Sequence, residues 1–184
     1  MAKKILLGVY LTLSAVHIQA GEIPSFIKTE HIASLKSYLI ARPNLILMPE
    51  SACTCDTSLA QLRKEIPNFQ PYYAIGDFNR DKIDDFAIAL SDTNKPSGTE
   101  PTMTVVIFHG PFNKTPKKAI EVVKDYAIKR PKEVISAFNS RLEAGHLIPG
   151  RLDLGPAIFG SDDIHMIIYD TKTQKYRVRY FYDE

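Results

Sequence analysis

The 184-residue sequence contains no tryptophan and only two cysteines, Cys53 and Cys55, separated by a single residue. Cysteines so close cannot tie distant parts of a chain together without leaving one of them unpaired. A framework of long-range disulfides is excluded, and the fold must rest on an apolar core. The pair itself admits three readings: a local disulfide, two free or intermolecular thiols, or a metal or redox pair. An excess of charge of one sign is also missing. The chain has 23 basic and 21 acidic residues, a balance that gives no electrostatic case for nucleic acid or an anionic membrane. After residue 20 no apolar run approaches the length of a transmembrane helix. A nucleophile elbow, a phosphate-cradling glycine loop, a zinc-protease helix motif and a redox-spaced cysteine pair are all missing too, so the familiar reaction classes lose their usual signatures.

What is present begins at the first residues. Lys3 and Lys4 precede an almost wholly apolar run from Ile5 to Val16, followed by His17 to Ala20 and the polar Gly21 and Glu22. A basic start, an apolar centre too short to span a bilayer comfortably and a small residue at the cut mark a secretory signal peptide. The sequence thus predicts residues 1–20 as a signal peptide, residues 21–184 as a single globular domain, and a periplasmic or secreted location. Cutting after Ala20 removes two lysines and no acid, which leaves 21 basic and 21 acidic residues. In such a location the cysteines meet oxidising conditions.

Residues 29–41 place Ile32, Leu35, Leu39 and Ile40 at helical spacing, with Thr29 as cap and Pro43 beyond the end. Leu59, Leu62 and Ile66 share one face of a short second helix that Pro67 stops. Residues 72–75 and 86–90 read as antiparallel strands flanking an Asp-rich loop, and residues 103–108 as a third strand. Ile120, Val122, Val123, Tyr126 and Ala127 fit an amphipathic helix over residues 117–128, interrupted by Pro131. Residues 91–101 read as a polar connection, and residues 132–142 admit helix or strand. Residues 156–159, 164–169 and 176–182 read as strands. The fold class expected is α+β, one antiparallel sheet of about five to six strands with two to three packed helices.

The densest chemistry lies between Gly76 and Ala87. Asp77, Asn79, Asp81 and Asp85 bear side-chain oxygens at alternate positions, and Ile83 falls among them with its backbone carbonyl. Ca²⁺ is a hard cation that takes six to eight oxygens at about 2.3–2.6 Å, and a curled loop can aim alternate residues inward to supply them. The run resembles the calcium loops of FG-GAP and VCBS-type repeats, the strand-loop-strand units of integrin alpha-chain propellers and many exported bacterial proteins. That resemblance implies a weak Ca²⁺ site made by the side chains of Asp77, Asn79, Asp81 and Asp85 and the carbonyl of Ile83, with Phe86 returning to the core. Lys82 stands where those families place a glycine, at a bend costly for most residues. An EF-hand demands glycine there and a bidentate glutamate at the Ile88 position, and both are missing. The alternative is a metal-free hairpin in which Asp and Asn side chains cap their own backbone amides, with Lys82 as counterion. The motif occurs once, which excludes a propeller of many such units.

His31, His109, His146 and His165 are dispersed. His109, ahead of Gly110 and Pro111 at a strand end, is the best placed for chemistry, and the ordinary reading beside it is a hydrogen-bonded structural histidine. Ser161, Asp162 and Asp163 form an acidic turn. Tyr176, Tyr180, Phe181 and Tyr182, with Arg177 and Arg179, are residue types enriched in binding hot spots; the same alternation suits an edge strand with one buried face. The expectation is an exported, non-enzymatic envelope protein that binds another macromolecule, of the inhibitor or immunity type, with a protein partner, no nucleic acid, and no membrane after signal cleavage. The alternative is a periplasmic hydrolase assembled around His109. A deep polar cleft at His109 would favour the enzyme, and an exposed aromatic face the binder.

Overall fold

A computed structural model describes residues 23–53, 56–95, 102–113, 115–127, 133–136, 151–156 and 164–181. The signal peptide expected over residues 1–20, Cys55, His146 and the acidic turn at residues 161–163 lie outside the described residues.

Helix α1 (Thr29–Ala41) spans the stretch predicted for it. Lys28 holds the cap position without a side-chain cap bond, so Thr29 is the first helical residue instead of the cap. Arg42 ends the helix ahead of Pro43, whose ring disfavours helical geometry in the residue before it. Helix α2 (Asp56–Glu65) buries Leu59 and Leu62, the stripe seen in the sequence.

Strands β1 (Leu45–Leu47), β2 (Tyr73–Gly76), β3 (Asp85–Asp92), β4 (Thr102–Phe108) and β5 (Ala119–Ala127) form one antiparallel sheet in the order β1-β3-β4-β5, with β2 also paired to β3. Strands β6 (Glu133–Ser136), β7 (Arg151–Pro156), β8 (Ile164–Asp170) and β9 (Lys175–Phe181) form a second antiparallel sheet in chain order. The mixed α+β class and the antiparallel pairing stand. The sheet content is larger than expected: the described residues hold nine strands in two sheets, with two α-helices and a short 3-10 turn at Glu50–Ala52.

Over residues 117–128, where the spacing predicts a helix, the described residues form the strand β5 (Ala119–Ala127) instead. Its pairing with β4 explains the misleading pattern. Met103 and Val105 oppose Tyr126 and Val123, and Val105 and Val106 oppose Val123 and Glu121, so β5 carries an extra residue at each of two register shifts. Bulges of this kind break the two-residue alternation of a strand. Val122 and Val123 both pack on the core, and the apolar positions then mimic helical spacing.

Both faces of the first sheet are covered. Tyr73, Phe86, Ile88, Leu90, Val106 and Phe108 face α1 and meet Leu35 there. Ala87, Ala89, Val105 and Ile107 face the other way, toward α2 and the second sheet, where Leu152 and Ile167 join them. Small alanines on that face let the second layer approach closely. On the α1 side, the rings of His31, Phe86 and Phe108 stack successively at 4.2 and 4.5 Å between centroids. No helix among the described residues is long and apolar enough to cross a membrane.

Candidate functional site

The Asp-rich loop joins β2 to β3, as the sequence implied, with Gly76 opposite Asp85 at its base. Its side chains turn back onto its own amides. The Asp77 carboxylate accepts from the Asp81 and Lys82 N–H groups, both at 2.9 Å. Asn79 Oδ1 accepts from the Asp81 N–H (3.0 Å), and Asp81 Oδ1 accepts from the Ile83 N–H (2.9 Å). Asn79 Nδ2 also donates to Asp81 Oδ2 at 2.9 Å. Arg80 and Lys82 adopt left-handed φ values of 66° and 71°, a conformation costing roughly 1–2 kcal/mol for a residue with a Cβ. The side-chain to backbone bonds on either side offset that cost, and Lys82 therefore fills the position that the resemblance reserves for glycine.

Asp85 behaves differently from the other three side chains. It is fully buried, and its Oδ2 accepts from the Phe78 and Asn79 N–H groups at 2.9 and 3.1 Å. Its Oδ1 accepts from the Gly110 N–H at 2.9 Å, which clamps the loop to the end of β4. Burial raises the Asp85 pKa, opposed by these amides and by His109 nearby. The approach at Gly110 is close: a Cβ there would stand 2.5 Å from the Asp84 carbonyl oxygen and 2.6 Å from Ile83 Cγ2. Only glycine leaves room for the amide to reach Asp85.

His109 lies beside this clamp and shares a 2.7 Å hydrogen bond with the Tyr176 hydroxyl. Its ring meets Tyr169 in a T-shaped contact at 5.9 Å and Tyr176 in a tilted one at 5.8 Å, and the two tyrosine rings lie 5.0 Å apart. Burial first, then the negative charges of Asp85, Asp77 and Asp81 among others, drives the Tyr176 pKa far upward, so the phenol stays protonated. A phenol held in that state is a poor nucleophile. Asp85 gives its oxygens to backbone amides, and among the described residues the hydrogen bond of the His109 ring goes to the Tyr176 hydroxyl, where a catalytic relay would need a carboxylate to orient the ring. The cluster ties the second sheet to the loop.

For calcium, the donor set fits only in part. Among the described residues no three carboxylate, imidazole or thiolate groups converge in metal-holding geometry. Asp85 is committed beneath the loop, so Asp77, Asn79, Asp81 and the Ile83 carbonyl are the oxygens with lone pairs to spare, since a carboxylate offers about four acceptor positions. Of the two thiols, Cys53 is buried and disulfide-bonded.

A different feature appears at the opposite end of β3. A groove of about 550 Å³ runs between α1, β1 and the segment at residues 70–72, with walls that are mostly apolar. Phe26, Ile40 and Ile46 line it and are 44%, 60% and 48% exposed. They are three of the five large apolar side chains exposed among the described residues. Sequence reasoning missed this gathering because the three residues come from separate segments. The available signal was Ile40, an apolar residue adjoining Leu39 and lying off the buried stripe of α1.

The last strand, β9, carries Tyr176, Arg177, Arg179, Tyr180 and Phe181 of the candidate surface, and Tyr182 lies outside the described residues. Tyr176 turns inward, whereas Arg177, Val178 and Arg179 are exposed, and Arg177 pairs with Asp170 at 2.6 Å. Charged side chains on an edge strand discourage pairing with other chains. Comparison of the chain with protein-family models, curated proteins and solved structures returned no match.

Proposed function

We propose that the protein is an exported, non-enzymatic envelope protein that binds another protein, and that the groove between α1 and β1 is its recognition surface. The observation that carries this reading is the convergence of Phe26, Ile40 and Ile46 on one groove. Scattered apolar residues are normal on a surface, but a contiguous rimmed patch marks a site of interaction. An inhibitor or immunity-type role suits a binder of this kind. The reading is tested by affinity capture from an envelope extract with the mature protein and with Ile40→Asp in parallel. A protein retained by the first and lost with the second is the expected result; identical captures would overturn it.

Calcium on the Asp-rich loop is a companion proposal, in which Asp77, Asn79, Asp81 and the Ile83 carbonyl face the ion and Asp85 holds the loop from below. The affinity expected is that of extracellular modules, about 10⁻⁴–10⁻³ M. At free calcium ten times Kd, binding to the native state raises stability by about 1.4 kcal/mol. Thermal melts with calcium, with chelator and with Asp81→Ala check it, and no shift at several millimolar calcium would reject it.

A further inference from the structure

The groove encloses the open edge of a strand. Side chains alternate between the two faces of a strand, yet Leu45, Ile46 and Leu47 all line the groove. It must therefore wrap around the edge of β1 instead of lying on one face. β1 ends its sheet and, among the described residues, pairs only with β3. The Met48 N–H donates to the Ala89 carbonyl at 3.2 Å. Backbone groups point alternately to either side of a strand, so the N–H and C=O of Leu47 point away from β3 and into the groove. Leu45, which points the same way, gives its N–H to the Arg42 carbonyl at 2.9 Å, so the Leu47 N–H and C=O are the pair left open, and unpaired edge groups are a template for another strand.

The charges at the rim are unequal. Glu50 is gripped by Arg63, with oxygen-to-nitrogen distances of 2.6 and 3.0 Å. Lys36, the other charged lining residue, has no hydrogen bond or ion pair among the described residues. The uncompensated charge at the groove is one ammonium.

We infer that the partner delivers an extended segment of alternating apolar residues that adds as a strand to the open edge of β1, with a carboxylate of that segment meeting Lys36. This rests on the reading of the groove as the recognition surface and specifies what enters it. Main-chain hydrogen bonds to Leu47 give the affinity, and pockets for alternate side chains give the selectivity.

The test is to pan a phage-displayed library of random dodecapeptides on the mature protein, on Lys36→Glu and on Ile40→Asp. Peptides from the mature protein should alternate apolar residues and carry an acidic one. Lys36→Glu should select basic residues at that place, and should weaken the original peptides about tenfold or more, the worth of one charge-assisted contact. Synthetic copies of the selected peptides with methylated backbone nitrogens should not bind, because methylation removes the donors that a strand needs. Peptides with helical spacing, or methylated copies that bind as well as the originals, would overturn strand addition. So would failure to recover any peptide dependent on Ile40. If envelope capture still depends on Ile40 in those cases, the groove remains the recognition surface and only the form of its occupant is wrong; if that dependence is also absent, both readings fall.

Discussion

The two ends of β3 solve opposite problems. At its start, the Asp-rich loop gathers carboxylates, an amide and a histidine, yet nearly every acceptor is met by a nearby backbone N–H. At its end, β1 and α1 present ordinary apolar residues and a strand edge that, among the described residues, has no second partner strand. Polar density here goes with internal hydrogen bonding of the loop. The residues with the most chemistry brace the loop, and those with the least line the groove proposed as the recognition surface.

The sharpest way to break that contrast is to remove Asp85. Asp85→Ala strips the acceptor from the amides of Phe78, Asn79 and Gly110, and buried donors left unpaired cost about 1–3 kcal/mol each. A loss of roughly 3–5 kcal/mol in urea denaturation is expected. A loss under 1 kcal/mol would mean that the clamp is dispensable.

Acid should act on the α1 side of the sheet. His31 Nδ1 lies 2.7 Å from the Tyr73 hydroxyl. That hydroxyl also accepts from the Lys28 N–H, at 3.3 Å. Burial first, and Lys28 second, lower the His31 pKa from 6.5 to about 4. A lowered folded-state pKa means stability present above pH 6.5 and lost as pH falls toward 4, by as much as about 3 kcal/mol. Asp85 works in the opposite sense, because its raised pKa removes stability as pH rises through the folded value. Denaturation across this window should show a net loss on acidification that His31→Phe abolishes; an unchanged slope in that variant would place the effect elsewhere.

Gly110→Ala forces a methyl group against the Asp84 carbonyl and should cost roughly 1–3 kcal/mol. Smallest of all is the effect of Ile40→Asp on stability, within about 0.5 kcal/mol, as for exposed positions generally. Together these two sharpen the contrast, one change straining the clamp at the loop and the other leaving the fold intact while altering the groove proposed for recognition.

Much of this architecture was legible. The helical spacing of Ile32, Leu35 and Leu39 marked α1, and the apolar runs around the Asp-rich segment marked the β2-β3 hairpin. β1 escaped notice because three residues between two prolines carry too little pattern, and β5 was mistaken for a helix because its bulges erase alternation. The second sheet was seen only as separate strands, since no local signal says which strands pair. Within the loop the oxygen-bearing residues were plain, but the separate task of Asp85 depends on Gly110, 25 residues away, and the groove on residues that meet only in three dimensions.

Photocrosslinking in the native envelope tests the proposed recognition surface most directly. A benzophenone amino acid replacing Ile40 sits in the groove, and the same replacement at Val178, which is 40% exposed on the charged edge strand, serves as its counterpart. A discrete protein adduct from position 40 and none from position 178 is the expected result. An adduct from position 178 with none from position 40 would contradict the groove and move recognition to the second sheet.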